Sequence, residues 1–205
     1  MTDLRVLLLS DGRPGHYRLS EGVVAAIRRI RSVEVDWLEL RRPRLLPKAF
    51  VPKLSRRLPP ALALHALHGL RAGDITKPDL VISAGGLTLG VNVALARIFD
   101  VPNIFCGATR GFATDRFALV LTDDPRQAGS PNVVIGPKPS VFDPDDLPSP
   151  NPIDRTGASI KVGVLVGGPI ESAEFNQADW RKLAALLVDF ARGQDAEVVV
   201  ITGPR

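Results

Sequence analysis

The hydrophobic and polar positions of this chain alternate between short apolar runs and longer stretches spaced for a helix. Residues 4–9 are apolar at nearly every position, the pattern of a parallel strand buried on both faces. Over residues 20–31, Val23, Val24, Ile27 and Ile30 recur at helical spacing. Arg28, Arg29 and Arg31 stand near the C-terminal end of that stretch, where the helix dipole favours cations. The alternation continues. Residues 33–38, 79–83 and 102–106 predict strands, and residues 87–99 an apolar helix. Residues 117–122 and 132–135 predict two more short strands. Between the second and third strands, residues 41–71 are basic, apolar and broken by prolines, which predicts short helices.

The pattern lapses once. Six prolines fall between Pro137 and Pro152, with few periodic apolar positions, which predicts a linker over residues 137–158. It then restarts, with strands predicted at 160–166 and 197–201 and a helix at 177–192. Strands alternating with helices imply a parallel sheet with right-handed crossovers. The expected organisation is a Rossmann-like first domain over residues 1–136, the linker, and the beginning of a second α/β domain over residues 159–205. Two strands and a helix do not enclose a core. The second domain is therefore expected to be incomplete; the alternative is that this element packs onto the first domain.

Composition narrows the setting. The chain has 205 residues, 45% hydrophobic and 23% charged, as in ordinary globular proteins. A net charge of +4 favours anionic partners in a general way. With 5% aromatic residues and no RNP-like or zinc-finger pattern, nucleic acid is not expected as a partner. Cys106 is the single cysteine, so an internal disulfide and a cysteine-based metal cluster are excluded; it is expected to be buried. That usage suits a reducing compartment. No apolar run reaches the length of a signal-peptide core or a membrane span, so a cytoplasmic location is expected.

Three glycine turns follow predicted strands. The first, Ser10 to His16, holds Asp11, Gly12, Arg13, Pro14, Gly15 and His16. A connection needs Gly and Pro; it does not need three ionisable side chains. In open α/β sheets ligands sit beyond the C-terminal ends of the strands. There Asp11 could accept a proton or orient a hydroxyl, and His16 could act as a base or hydrogen-bond a phosphate or sugar. The plainer reading is a capped turn in which Gly12 and Gly15 supply positive φ. The second turn holds Gly85 and Gly86, with Thr88 and Asn92 early in the following helix; it permits close approach of a ligand or tight strand–helix packing. The third, Gly167 and Gly168, is weaker, because Glu171 and Glu174 follow it and would repel an anion. None matches a P-loop or the dinucleotide spacing.

Taken in order, "SDGRPGHYRLSEGV", "PDLVISAGGLTLGVNVALAR" and "VGVLVGGP" resemble the bacterial relatives of the elongated-mitochondria (mitochondrial-fission) family, regarded as candidate glycosyltransferases. The strongest marker is Asp11-Gly12-x-Pro14-Gly15-His16. Where that family shows Asn-Gln shortly after the His, this chain has Arg18-Leu19. More distantly, the arrangement is similar to the N-acetylglucosaminyltransferases of peptidoglycan synthesis. The resemblance implies an α/β, GT-B-like architecture of two Rossmann-like domains facing a cleft. It also implies transfer of a sugar from a nucleotide-sugar donor to an acceptor of unknown identity, lipid-linked in the related enzymes. The donor would be held mainly by the second domain.

Such a transfer, independent of metal, needs a base, in-line positioning and stabilisation of the departing diphosphate. On this reading Asp11 or His16 is the base, and the residues alone leave the choice open. Gly12 and Gly15 let the loop reach the cleft, Arg13 neutralises charge, and Gly167 and Gly168 face the diphosphate. Gly85, Gly86, Thr88 and Asn92 are the remaining candidate substrate-binding residues. No metal and no cofactor is expected; Asp123-Asp124 reads as a solvated or capping pair. The alternatives are a non-catalytic GT-B-fold binding or scaffold protein of the mitochondrial-fission family, and a nucleotide-dependent epimerase of GT-B type.

Three further features carry expectations. His65 and His68 are spaced to share a helix face, which reads as packing rather than a metal site. Trp37 and Trp180 are expected in a core or an interface. Residues 41–58 place Arg41, Arg42, Arg44, Lys48, Lys53, Arg56 and Arg57 among Leu45, Leu46, Phe50, Val51, Leu54 and Leu58 with no acid. This composition suits peripheral contact with an anionic membrane at its cytoplasmic face.

Overall fold

A computed structural model describes residues 3–40, 51–146, 160–167 and 175–202. The chain divides into two units, Met1–Leu147 and Pro148–Arg205. In chain order the first runs β1 (Leu4–Ser10), α1 (Pro14–Arg28), β2 (Val33–Glu39), α2 (Val51–Arg57) and α3 (Pro60–His68). It continues through β3 (Leu80–Ala84), α4 (Leu89–Phe99), β4 (Asn103–Cys106), β5 (Leu119–Thr122) and β6 (Val133–Ile135).

β1 is apolar because both its faces are covered. Val6 and Leu8 pack with Val23 and Val24 of α1. Leu7 and Leu9 point the other way, into a cluster with Leu64 of α3 and Val91, Ala94 and Leu95 of α4. The six strands form an all-parallel sheet in the order β2-β1-β3-β4-β5-β6. The architecture is α/β and Rossmann-like. The chain moves outward from β1 to β2, then crosses back to β3 on the other side of β1. That reversal is a topological switch point, and in open α/β sheets ligands bind beyond the C-terminal ends of the strands at such a point. The ends concerned are Ser10 and Ala84.

Two boundaries differ from the pattern in the sequence. α1 starts at Pro14, ahead of the predicted residue 20. Pro14 occupies the first helical position, where its fixed φ suits a helix and its missing N–H is no loss; Arg13 before it is extended, at φ −95° and ψ 117°. His16 therefore sits in the first helical turn. The first unit also runs beyond residue 136. The backbone of Pro139 and Ser140 lies against Gly22 of α1, where a Cβ would come within 2.5 Å of the Ser140 nitrogen. Arg29 pairs with Asp143, tying the same segment to the helix.

The second unit contains β7 (Ile160–Val166), α5 (Gln177–Gln194) and β8 (Ala196–Thr202), with β7 and β8 parallel and Val162 opposite Val198. α5 opens on a reciprocal cap. Asn176 Oδ1 accepts from the Asp179 N–H at 3.1 Å, and Asp179 Oδ2 accepts from the Asn176 N–H at 2.9 Å. Among the described residues of this unit none is buried. Leu165 is 80% exposed and Leu186 68%, so the element by itself encloses no core. Trp180 stands over Phe175 at 5.3 Å and is partly exposed. Trp37, expected in a core or an interface, is 49% exposed on the edge strand β2, with Tyr17 edge-on at 6.0 Å.

Candidate functional site

β1 ends at Ser10 and the chain turns at once. Ser10 Oγ accepts from the Gly12 N–H at 3.0 Å, and Asp11 Oδ1 accepts from the Arg13 N–H at 3.3 Å. Gly12 has φ +75°, a conformation that glycine enters without cost. α1 then begins, and its first turn carries His16 back toward the strand end. His16 Nδ1 lies 2.8 Å from Asp11 Oδ2. The Asp11 side chain is 6% exposed and that of His16 32%. A carboxylate only accepts, so in the neutral imidazole the proton of this bond resides on Nδ1 and the lone pair on Nε2. The geometry thus separates two side chains that the sequence leaves equivalent. Asp11 is enclosed, with Oδ2 against the ring; His16 is the more accessible partner.

The second glycine turn meets the first. A Cβ on Gly85, at φ +93°, would fall on the His16 ring, within 2.9 Å of Cγ and Cε1. Glycine here is what allows the imidazole to lie on the turn. The Thr88 hydroxyl closes the same turn by donating to the carbonyls of Ala84 and Gly85, at 3.0 and 2.9 Å.

Three other candidate residues sit differently from this pair. Thr88 and Asn92 are both fully buried. Asn92 Nδ2 donates to Ser83 Oγ at 3.0 Å and to the Ile104 carbonyl at 3.1 Å, while its Oδ1 accepts from Asn103 Nδ2 at 2.6 Å. Asn92 is thereby a strut joining α4 to β3 and β4, with its amide fully engaged, and Thr88 shapes the turn from below. Gly15 lies within α1 without positive φ, and among the described residues nothing stands within 4 Å of its Cβ position. Its glycine identity is not demanded by this site. Arg13 is exposed on the loop, and Gly167 is exposed at the end of β7. Gly168, Glu171 and Glu174 lie outside the described residues, as do Arg41, Arg42, Arg44, Leu45, Leu46, Lys48 and Phe50.

The loop after β4 supplies residues that the motif reading passed over. The Arg110 side chain lies on Gly86, with Nε 3.2 Å and Cζ 3.3 Å from where a Cβ would be. The loop carries positive φ at Gly107 (126°), Arg110 (49°) and Gly111 (83°). Arg56 of α2 braces it, donating from Nη1 to the Gly111 carbonyl at 2.7 Å with its guanidinium carbon 5.8 Å from the Phe112 ring centre. Gln127 braces it from the other side: its Oε1 accepts from the Thr109 N–H at 3.0 Å and its Nε2 donates to Thr122 Oγ1 at 2.9 Å. An arginine followed by glycine, just beyond a strand end at the switch side of the sheet, was the signal available in the sequence.

Other ionisable groups serve elsewhere. Asp124 caps its own turn and pairs with Arg126, which holds its carboxyl below the usual range. Asp123 pairs with Lys138 at 3.2 Å. Among the described residues no group of three His, Cys, Asp or Glu side chains comes together to hold a metal. His65 is exposed, whereas His68 turns inward with neither ring nitrogen partnered among the described residues, and burial lowers its pKa to about 4. Burial also pushes the Cys106 thiol up to about 12, leaving it an inert core residue. Among the described residues no helix is long and apolar enough to cross a membrane.

No protein-family model and no curated protein matches the chain. Among solved structures it is similar to MurG of Acinetobacter baumannii, at 15% identity and a TM-score of 0.49, over 98% of this chain and 66% of that one. It is similar to the glycotransferase of kitacinnamycin, at 13% identity and a TM-score of 0.49, again over 98% and 66%. A third similar structure is a ligand-free, open substrate-binding protein with adhesive properties from Clostridium difficile, at 10% identity and a TM-score of 0.34, over 100% and 58%. The chain thus spans 66% of the length of the first two.

Proposed function

We propose that this chain carries the acceptor side of a GT-B glycosyltransferase, with His16 as the general base. The observation that carries the reading is the 2.8 Å Asp11–His16 pair set on Gly85 at the switch point of the sheet. The motif resemblance to the elongated-mitochondria family supports it. In the reaction, His16 Nε2 takes the proton of the acceptor hydroxyl as that oxygen bonds to the anomeric carbon of the donor sugar. The bond from that carbon to the nucleoside diphosphate breaks, and the diphosphate leaves with the electron pair. Asp11 is a positioning residue. It keeps the proton on Nδ1 and stabilises the imidazolium that forms. Gly167 and Gly168 are assigned to the donor diphosphate, and Arg13 to neutralising charge at the loop. The acceptor is lipid-linked and met at the cytoplasmic face of an anionic membrane through residues 41–58.

The test is transfer from a panel of radiolabelled UDP-, GDP- and dTDP-sugars to a bacterial membrane-lipid extract. His16→Ala should lower transfer by about a hundredfold or more, with Asp11→Asn between it and wild type, while melting temperatures change little. Undiminished transfer in both variants would overturn the assignment. No transfer from any donor would favour a non-catalytic scaffold.

A further inference from the structure

The Arg110 side chain is exposed and lies on Gly86 at the site. Among the described residues its guanidinium makes no hydrogen bond and no ion pair. Its backbone nevertheless sits at φ 49°, a left-handed conformation that costs any residue with a Cβ. Gly111 beside it takes a similar conformation without that cost, so the loop's path does not by itself call for an arginine. What the loop fixes is the backbone from which Arg110 projects. Arg56 and Gln127 brace it from two sides, Phe112 anchors its end in the core, and Gly86 leaves room for the side chain to lie on the turn. Gly85 and Gly86 are consecutive, with Cα atoms about 3.8 Å apart. One lies against the imidazole of His16 and the other against the guanidinium of Arg110, so both side chains meet the same turn.

We propose that Arg110 is the anion-recognising residue of this site, and that the acceptor carries a phosphate close to its reacting hydroxyl. A guanidinium is a planar fork of donors that matches phosphate oxygens two at a time. Arg13, on the loop of His16, is likewise without a partner among the described residues. A phosphate offers the fork more oxygens and more charge than a carboxylate does. This inference rests on the reading of the His16 turn as an acceptor site, but it is tested by binding without turnover. An inactive transferase would leave it standing, and its failure would leave His16 as the base.

The experiment is calorimetric titration of the whole chain with inorganic pyrophosphate at low salt, with acetate as competitor. Arg110→Gly should weaken pyrophosphate binding about tenfold or more, while the melting temperature holds or rises because the strained backbone is relieved. Arg110→Lys should recover part of the affinity. Arg97→Ala, at the far end of α4, should bind as wild type. Glucose 1-phosphate in solution and phosphatidic acid in neutral vesicles distinguish a soluble from a lipid-borne phosphate, and Arg110-dependent binding of either supports the proposal. Wild-type pyrophosphate affinity in Arg110→Gly, or a fall in its melting temperature with binding intact, would overturn it. So would acetate displacing pyrophosphate at equal concentration.

Discussion

His16 fills the space that a side chain at residue 85 would occupy. The first and second glycine turns are therefore one construction, in which the absence of a Cβ on β3's loop seats the imidazole delivered by α1. Gly85→Ala meets two obstacles, a backbone at φ +93° and a collision with the ring. The expected cost is on the order of 2 kcal/mol in unfolding free energy, with displacement of the His16 ring. Urea denaturation and the His16 imidazole NMR resonances check both. A Gly85→Ala protein with wild-type stability and unmoved resonances would show that the ring does not need this turn.

His68 makes stability depend on pH. Its pKa falls from 6.5 to about 4 through burial, so between those values the unfolded chain binds a proton that the folded chain does not. Stability then rises with pH across that window: the contribution is complete above about 6.5 and lost as the pH drops toward 4. A full shift of this size corresponds to at most about 3 kcal/mol, less here because the ring is not wholly enclosed. His68→Leu should remove this slope and stabilise the protein at neutral pH, since it also removes two unpartnered nitrogens. Denaturant midpoints at pH 7.5, 6 and 5 in wild type and variant give the comparison; parallel profiles would contradict it.

Asn103 links three segments by one amide. Its Oδ1 accepts from the Ala118 N–H at 3.0 Å, and its Nδ2 donates to Asn92 Oδ1 at 2.6 Å and to the Arg116 carbonyl at 3.2 Å. Asn103→Ala leaves an N–H and two oxygens without this partner in a buried setting. A loss on the order of 2–4 kcal/mol is expected. A melting temperature within a degree or so of wild type would show that the network carries no weight.

Membrane contact through residues 41–58 predicts co-sedimentation with anionic vesicles that fades with salt. Arg56 is already committed to the Gly111 carbonyl, so Arg56→Ser should act on the loop of Arg110 more than on vesicles. Replacing Arg41, Arg42 and Arg57 with Ser should reduce vesicle binding by about a hundredfold, at roughly 1 kcal/mol for each residue near the surface. Absence of binding at low salt would leave a soluble acceptor.

Much of the fold was legible because it is local. The apolar run of β1 and the helical spacing of Val23, Val24 and Ile27 each report burial through neighbours a few positions apart, and the apolar run from Ile160 marks β7 although that strand is largely exposed. Pro14 misled because Pro-Gly reads equally as a turn or as a helix start, and only the packing of α1 on the sheet decides which. Asn92 misled for a related reason. A polar residue early in a helix looks available, and its burial depends on Ser83 and Asn103 arriving from two other strands.

The order of residues along the chain carried the alternation of strands and helices, the chemistry of the first loop and the glycines that follow β1, β3 and β7. It did not determine which loops meet. That followed from the sheet order, which places β1, β3 and β4 side by side and brings Asp11, His16, Gly85, Gly86 and Arg110 to adjoining strand ends. Strand order is set by which apolar faces bury together over long separations, and periodicity within a window carries no record of it. The same tertiary contact sets His16 and Asp11 apart in accessibility: residue type marks both as candidates, but the enclosure of Asp11 and the partial exposure of His16 exist only once α1 is docked.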